Sequence, residues 1–415
     1  MKQFFISSIL VGALVLAGCR GRNISGVVAA QGTGNLLEPP AGRVSGLDEL
    51  AEECDTPTDR HPARTGRLDR APYLQNASDE GATVVWTSAD PQPATVEVSL
   101  PDGTAVTSVP STVEATRYLD GSHQHFARLE PLEPATVYCY SIRQAGEEVV
   151  GSTGFRTAPE PGQDAPVRFV AFGDSGGGSE DQVRLRDQLE SFDYDLLLIM
   201  GDLAYDSGEL GELERKHFDV YDPMLRSIPS FPVAGNHDYH TGNAGPYLEV
   251  FHLPDNGGDE GRERWYSFDW GNVHFVGLDT ERFGPEQTEW LRRDLAANDL
   301  PWVVASLHRA PFSSGYHGGS GSVQSYFLPI LEAHGVQLVL AGHDHHYERF
   351  APLDGVTHIV TGGGGKGVRL PGTGSRAEFA EGVIHAVYAT VEDDEMRLHA
   401  IDATGREFDG VVIPL

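Results

Sequence analysis

The chain has 415 residues, of which 40% are hydrophobic and 9% aromatic, a composition typical of a soluble globular protein with two or three domains. Its formal net charge at pH 7 is -31, and lysine and arginine are not clustered along the sequence. Because proteins bind phosphate backbones and anionic lipids through basic clusters, this composition excludes nucleic acid and anionic membrane surfaces as main partners.

The first 18 residues have the pattern of an export signal. A positively charged start is followed by an apolar stretch over residues 4–16 and then by small residues. Residues 16–19, Leu-Ala-Gly-Cys, resemble the bacterial lipoprotein signal, in which Cys19 would become the lipidated first residue of the mature chain. We therefore expect a signal peptide over residues 1–18 and a lipid anchor that holds the protein on the periplasmic or cell-surface side of a membrane. Ordinary cleavage beside an incidental cysteine is the alternative.

Residues 19–67 mix glycine, proline, glutamate and arginine without periodicity, and this pattern predicts a flexible surface tether. Apart from Cys19, the sequence contains Cys54, which lies in the tether, and Cys139. In an oxidising compartment these two either form a disulfide or leave Cys139 as a small buried hydrophobe within a strand. The sequence leaves both alternatives open.

Residues 68–158 are predicted to form a small all-β sandwich domain. Short alternating runs at 82–87, 95–98 and 136–142 are separated by turn residues, which is the spacing expected of such a sandwich. Residues 132–138 resemble the fibronectin type III pattern, in which a tyrosine at a strand corner hydrogen-bonds nearby backbone. This region contains no constellation of catalytic residues.

A breaker-rich segment at 159–163 marks a domain boundary, and a second domain is predicted over residues 166–415. Its runs at 167–172 and 196–200 are almost continuously apolar, as expected for strands that are buried on both faces. Further strands are predicted at 273–278, 302–307, 337–340, 358–361, 386–391 and 396–401, and helices near 182–189, 212–225, 285–297 and 323–334. This alternation favours a layered α/β domain built on two sheets.

Seven side chains that can bind metal ions follow strand-like runs of this domain, most of them in loops punctuated by glycine. They are Asp174, Asp202, Tyr205, Asn236, His308, His343 and His345. Loops at the carboxyl ends of buried strands converge on one crevice in open α/β sheets. The set predicts a two-metal hydrolase site, in which ions about 3.5–4 Å apart clamp the attacking and leaving oxygens at phosphorus. Asp202 is the predicted bridge, because it is the carboxylate whose own block supplies a second ligand, Tyr205.

At these residues the chain resembles the purple acid phosphatases, a branch of the calcineurin-like metallophosphoesterases, over about residues 70–415. The block at 342–349, Gly-His-Asp-His-His-Tyr-Glu-Arg, is especially similar. The resemblance implies a four-layer α/β/β/α metallophosphoesterase fold behind the β-sandwich. It also implies that Fe(3+) would bind Asp174, Asp202, Tyr205 and His345, and that a divalent zinc, manganese or iron ion would bind Asp202, Asn236, His308 and His343.

Gly176 and the glycine-rich segment 361–366 help to define the type of metal site that the sequence predicts. Gly176 stands where many divalent-metal relatives carry a histidine, and Tyr205 supplies the missing ligand, as in the tyrosine-ligated branch. A phenol, whose ordinary pKa is about 10, needs a strongly polarising ion to lose its proton in acid, so Tyr205 favours a ferric ion. The segment 361–366 has four consecutive glycines before Lys366 but lacks the spacing of a phosphate-binding loop, and we expect it to lie beside the site.

Two histidines outside the ligand set are candidates for contact with substrate. His237 adjoins Asn236, and the family places a phosphate-contacting or proton-donating histidine at such a position, where Asp238 would orient it. His317, in a glycine-rich loop, resembles the family's other substrate histidine, although a structural role is the open alternative. The predicted substrate contacts are therefore these two histidines and Asn236, and the predicted catalytic residues are the same histidines and Asp202.

The resemblance implies an acid phosphatase that hydrolyses small phosphomonoesters by attack of metal-bound hydroxide, and the signal pattern implies that it is exported. A phosphodiesterase or pyrophosphohydrolase on the same metal centre is the alternative among enzymes, because two-metal sites host these reactions as well. The alternative from another class is a non-catalytic surface binding or adhesion protein whose hydrolase domain is vestigial.

Overall fold

The structure is a computed structural model that describes residues 45–56, 68–118, 121–372 and 376–415. The predicted signal peptide, the predicted lipid anchor at Cys19 and most of the predicted tether lie outside these ranges. Among the residues described, no helix has the length and apolar character needed to cross a membrane.

Two antiparallel sheets with a shared core form the N-terminal domain. Its strands are β1 (Leu68–Gln75), β2 (Ala82–Ser88), β3 (Thr95–Ser99), β4 (Ala105–Pro110), β5 (Thr112–Ala115), β6 (His123–Leu129), β7 (Val137–Gln144) and β8 (Glu147–Arg156). The sheet orders are β1-β2-β6-β5 and β4-β3-β7-β8. Val96 and Val98 of β3 are buried and the intervening Glu97 is exposed, the alternation expected when one sheet face is wet. The Tyr138 hydroxyl accepts a hydrogen bond of 2.8 Å from the amide of Glu133, the local contact expected from the tyrosine pattern.

A helix interrupts the predicted tether. Helix α1 (Gly46–Glu53) is capped by the side chain of Ser45 and buries Leu50. Cys54, which follows it, forms a disulfide with Cys139 of β7, so the disulfide is the alternative that the structure contains. The tether prediction is wrong for this segment, because an end-capped helix and a covalent bond fix it to the sandwich.

Two mixed sheets and their helices form the second domain. Its strands are β9 (Val167–Phe172), β10 (Leu196–Met200), β11 (Ser230–Val233), β12 (Tyr266–Trp270), β13 (Val273–Leu278), β14 (Trp302–Arg309), β15 (Leu338–Gly342), β16 (Tyr347–Phe350), β17 (Thr357–Thr361), β18 (Ala377–Glu381), β19 (His385–Glu392), β20 (Glu395–Asp402) and β21 (Glu407–Pro414). Its α-helices are α2 (Glu180–Leu189), α3 (Leu210–Leu213), α4 (Asp219–Leu225), α5 (Gly245–Val250), α6 (Pro285–Ala297), α7 (Gly321–Tyr326) and α8 (Leu328–Ala333), with a π-helical turn at Glu214–Phe218 and a 3-10 helix at Asp238–His240. The sheet orders are β11-β10-β9-β19-β20-β21 and β12-β13-β14-β15-β17-β16-β18.

The two sheets pack against each other, with helices on the outside. Phe169 of β9 and Phe275 of β13 meet between the sheets, with ring centroids 5.5 Å apart. The next residue of β13, Val276, points the other way and packs in a separate core with Trp290 and Leu291 of α6. Strands buried on both faces account for the continuous apolar runs in the sequence. The predicted four-layer α/β/β/α fold preceded by a β-sandwich is confirmed.

Two predicted helices are interrupted. The segment predicted near 212–225 consists of α3, the π-helical turn and α4, and the segment predicted near 323–334 divides at Phe327 into α7 and α8. The second interruption has a direct cause, since Pro329 lies in the first turn of α8. Proline has no amide hydrogen to continue the helix, and its ring clashes with the carbonyl four residues earlier.

Buried polar contacts of β1 join the sandwich to the α/β domain. The Arg70 side chain donates from Nε to Glu214 at 3.0 Å, and its guanidinium carbon lies 4.2 Å from the ring centroid of Phe218. The Gln75 amide donates to the backbone oxygen of Ser230 at 3.1 Å. Because a buried polar group that loses its partner is costly, these contacts fix the two domains to each other.

A buried histidine on β13 lies between two carboxylates. The Nδ1 atom of His274 lies 2.6 Å from Asp269, and its Nε2 atom lies 3.0 Å from Asp294. Burial acts to lower the pKa of His274, but the hydrogen bonds and charges of the two carboxylates outweigh burial and raise this pKa to about 9. The folded protein therefore binds a proton here more tightly than the unfolded chain does.

We expect the charged state of His274 to stabilise the fold in a defined pH range. Its stabilisation is complete below the ordinary histidine pKa of 6.5 and is lost as the pH rises through about 9. His274→Gln should lower the free energy of unfolding by about 2 kcal/mol near pH 6 and by clearly less near pH 10, as measured by urea denaturation. The exposed His334, changed to Gln, is the control, and an equal loss at both pH values would contradict the assignment.

Candidate metal centre

The carboxyl ends of strands from both sheets meet at one edge of the domain and carry the predicted ligands. Asp174, Asp202 and His343 follow β9, β10 and β15, and each has a left-handed backbone conformation, with φ of 56°, 53° and 72°. This conformation costs about 1–2 kcal/mol in a residue other than glycine. The fold thus holds these three side chains in place against a local preference, as is common at functional sites.

Two glycines leave room for the carboxylates. A Cβ atom at Gly235 would lie 2.3 Å from Oδ1 of Asp202, and one at Gly342 would lie 2.6 Å from Oδ2 of Asp174. Any side chain at either position would displace the adjacent carboxylate. Steric access, rather than turn geometry alone, explains the glycines that precede Asn236 and His343 in the sequence.

One half of the cluster consists of Asp174, Tyr205 and His345, all buried. The Tyr205 hydroxyl donates to Oδ1 of Asp174 at 2.8 Å and lies 3.2 Å from Nε2 of His345. The same Nε2 atom lies 3.5 Å from Oδ1 of Asp174. Three donor atoms of different chemistry therefore converge on one point.

The other half consists of Asn236, His308 and His343. Nε2 of His308 lies 3.1 Å from Oδ1 of Asn236 and 3.1 Å from Nδ1 of His343. The second ring nitrogen of His308, Nδ1, donates to the backbone oxygen of Met200 at 2.8 Å. That bond orients the imidazole and leaves Nε2 as the nitrogen with a free lone pair, the usual arrangement for a histidine ligand.

Asp202 links the two halves. Its Oδ1 atom lies 3.6 Å from Nε2 of His308. The negative charge of the same carboxylate contributes to raising the pKa of the Tyr205 hydroxyl. Ligand atoms of Asp174, Asp202 and His308 all lie within 4.8 Å of one another. The structure thus brings all seven predicted ligands together, and their role in binding metal remains a prediction.

The electrostatics of the cluster fit bound cations. Burial first, and then the charges of Asp174 and Asp202, raise the pKa of Tyr205, so an ionised phenol here requires added positive charge. Burial, His308 and Arg309 lower the pKa of His343 to about 2, so this imidazole is neutral and able to bind a metal. Carboxylate, phenol and neutral imidazole donors suit iron, zinc and manganese. The residues therefore fit a two-metal centre.

The two predicted substrate histidines border opposite halves of the cluster. The ring of His237 lies 4.4 Å from that of Tyr205, and its Nδ1 atom donates to the backbone oxygen of Asp206 at 2.6 Å. The ring of His317 lies 4.0 Å from that of His343, centroid to centroid. Both positions suit contact with a molecule bound at the metals, and the catalytic role of each histidine remains a prediction.

The structure corrects one detail of the sequence prediction. Asp238 does not orient His237, because its carboxylate accepts hydrogen bonds from the amides of Gly235 at 2.8 Å and Leu203 at 3.1 Å. Asp238 therefore links the loop that carries Asp202 to the loop that carries Asn236. The carbonyl of Asp206 orients His237 instead, a role that no side-chain pattern reveals.

Two arginines near the cluster were not identified from the sequence. Nη1 of Arg309 lies 3.0 Å from Nε2 of His343. Nε of the same arginine donates to Glu281 at 2.6 Å. Nη1 of Arg369 lies 2.6 Å from Nε2 of His317. Arg309 follows a predicted ligand directly, which was a usable signal, whereas Arg369 approaches the cluster only through tertiary structure. Both guanidinium groups add positive charge that favours a phosphate ligand.

The glycine-rich segment at 361–366 lies beside the site, as the sequence predicted. The amide of Gly364 donates to the carbonyl of Gly173, and that of Lys366 donates to the carbonyl of Asp174, both at 2.9 Å. Nζ of Lys366 lies 4.5 Å from the ring centroid of Tyr205. The segment thus supports the first ligand loop and places a third cation at the rim, where Lys366 is paired with Asp206 at 2.7 Å.

Comparisons with known families match both domains. The family described as purple acid phosphatase, N-terminal domain, matches residues 71–157, and the family described as calcineurin-like phosphoesterase matches residues 167–347. The matched segments follow the order and the division of the two observed domains.

Relatives among curated proteins match parts of the chain. An uncharacterized protein of Mycobacterium tuberculosis is 32% identical over 55% of this chain and 51% of its own length. Purple acid phosphatase 23 of Arabidopsis thaliana is 29% identical over 58% of this chain and 62% of its own length. Probable inactive purple acid phosphatase 1 of the same plant is 28% identical over 60% of this chain and 50% of its own length. The chain spans about half the length of most of these relatives.

Solved structures share the fold. A purple acid phosphatase from yellow lupin seeds superposes with a TM-score of 0.73 at 23% identity, covering 84% of this chain and 75% of that one. PhoD superposes with a TM-score of 0.65 at 15% identity, covering 84% of this chain and 93% of that one. Both family matches are in register with the observed domains, so the chain combines a domain of the purple acid phosphatase N-terminal family with a calcineurin-like phosphoesterase domain.

Proposed function

We propose that this protein is a binuclear-metal phosphatase that hydrolyses phosphomonoesters and is exported and anchored through a lipid on Cys19. The observation that carries the proposal is the buried meeting point of the predicted ligands. One ion would bind Asp174, Tyr205 and His345, the other would bind Asn236, His308 and His343, and both would share Asp202. Bound there, two ions would polarise phosphate oxygens and supply a nucleophile in mildly acidic solution.

His237 is the proposed proton donor to the leaving group. Because its Nδ1–H donates to the Asp206 carbonyl, a proton offered to the substrate would be carried on Nε2. This proton would pass to the ester oxygen as the bond to phosphorus breaks, which avoids release of a free alkoxide.

His317 and the neighbouring cations would hold the phosphate. Since Arg369 donates to Nε2 of His317, the ring proton of this histidine is on Nδ1. Glu281 holds Arg309 through Nε and Nη2, and Nη1, which also lies 3.0 Å from Nε2 of His343, has a second hydrogen that would be directed at a phosphate oxygen. These local charges let an acidic protein attract an anionic substrate, because a short-range field at the site outweighs a distant net charge in salt solution.

The assay that tests the function compares nitrophenyl phosphate with bis(nitrophenyl) phosphate, using protein supplied with iron and zinc. We expect faster turnover of the monoester, loss of turnover in His308→Ala, and normal turnover in the control His334→Ala, where an exposed histidine is removed. Faster turnover of the diester would favour the phosphodiesterase alternative. Absence of turnover in protein that contains both metals would favour the non-catalytic alternative.

Tyr205 should produce a visible absorption band if the first ion is ferric. We expect purified protein to show a phenolate-to-iron charge-transfer band that disappears in Tyr205→Phe while iron is still present by elemental analysis. The variant keeps the ring that packs on His237 and removes only the hydroxyl. Active, colourless protein without iron would overturn the ferric assignment and leave the two-metal proposal standing.

A further inference from the structure

An exposed aromatic ring stands at the rim of the candidate metal centre. The Tyr316 side chain is 80% exposed. Its ring is nearly perpendicular to that of the adjacent His317, with an interplanar angle of 88° and centroids 5.0 Å apart. His317 in turn packs against the predicted ligand His343. His317, the predicted phosphate contact, therefore lies between Tyr316 and the predicted metal ligand His343.

Arg369 holds the Tyr316 ring in place. Its guanidinium carbon lies 5.1 Å from the centroid of that ring, in a cation–π contact, and its Nη1 atom donates to His317. Its backbone amide donates to the carbonyl of His345, another predicted ligand, at 2.8 Å. The ring is thus oriented by groups that are themselves attached to the metal centre, and the rest of its surface remains open to solvent. A preorganised aromatic surface loses little entropy when it binds a partner.

We propose that Tyr316, positioned by Arg369, forms a leaving-group subsite that favours phosphomonoesters with a planar aromatic leaving group. The proposal rests on the proposed phosphatase function and specifies its substrate class. A phosphate beside His317 brings its ester substituent within reach of the neighbouring ring. Two aromatic rings in offset or edge-to-face contact gain interaction energy in addition to the free energy of burying apolar surface. An alkyl group gains only from burying its surface.

The test compares phenyl phosphate with ethyl phosphate in metal-loaded full-length protein. Tyr316→Ala should lower the ratio of the two kcat/KM values about three- to tenfold. Tyr316→Phe keeps the ring and should keep the ratio. Tyr326→Ala is the matched control, because it removes another exposed tyrosine, one that packs on Phe283.

A binding measurement separates the subsite from the chemistry. Phenylphosphonate and ethylphosphonate are not hydrolysed, and calorimetry should show that Tyr316→Ala weakens binding of the phenyl compound about three- to tenfold more than binding of the ethyl compound. An unchanged ratio in an active Tyr316→Ala enzyme would overturn the subsite and leave the phosphatase function intact. If the wild-type protein hydrolyses neither ester, the function fails, and the calorimetric comparison alone decides the subsite.

Discussion

Asp202→Ala should remove both metal ions, whereas Asn236→Ala should remove mainly one. Asp202 is the carboxylate that faces His308 in one half of the cluster and Tyr205 in the other, so its loss affects both proposed ions. Oδ1 of Asn236 lies 3.1 Å from Nε2 of His308, in one half of the cluster. Because bound ions stabilise the transition state of hydrolysis by several kcal/mol, we expect Asp202→Ala to lower kcat/KM about a thousandfold or more.

Elemental analysis of the purified variants, with circular dichroism to confirm the fold, measures this difference. Asp187→Ala is the control, since it removes an exposed carboxylate on α2 and should retain the wild-type metal content. Equal metal retention in the Asp202 and Asn236 variants would show that Asp202 does not bridge. Full activity of Asp202→Ala without metal would refute the two-metal proposal itself.

Replacing Cys54 and Cys139 together by alanine should lower the free energy of unfolding by about 4–5 kcal/mol. The disulfide joins positions 85 residues apart, and a cross-link over a long loop removes much of the entropy of the unfolded chain. It also attaches α1 to the sandwich. Alanine is preferred to serine, because both cysteines are buried and a hydroxyl there would add a separate cost.

Guanidinium denaturation of the oxidised wild type and the double variant gives the difference. Wild-type protein treated with a thiol reductant is the control and should unfold at nearly the same midpoint as the variant. The variant itself should not respond to the reductant. A variant that is as stable as the oxidised wild type would show that α1 is held by noncovalent contacts alone.

The part of the fold that was predictable from the sequence is the part buried on both faces. The strands Val167–Phe172, Leu196–Met200 and Val273–Leu278 begin and end where their apolar runs do, because sheets that pack on both sides require such runs. The candidate ligands follow from the same cause, since polar side chains directly after buried strands share one sheet edge. Their convergence was therefore foreseeable, whereas the identity of the metals is not set by donor type alone.

Features that depend on tertiary contacts were not predictable. Helix α1 is short and would not persist alone, so its existence depends on the disulfide and on burial of Leu50. The nearness of Lys366 and Arg369 to the cluster depends on how a late loop folds back over the first ligand loop. Nothing local in the sequence distinguishes these two cations from other surface charges.

The contacts of β1 limit how this protein can be divided. A fragment that begins at the domain boundary would leave Glu214 without its guanidinium partner, uncover the ring of Phe218 and expose the backbone oxygen of Ser230. Glu214 and Phe218 lie on the π-helical turn, from which Lys216 donates to the carbonyl of Tyr205, and Ser230 begins the strand that leads to Asn236. The sandwich is thus a structural support of the domain that carries the candidate metal centre rather than a detachable accessory, and tests of the proposed function need both domains in one polypeptide.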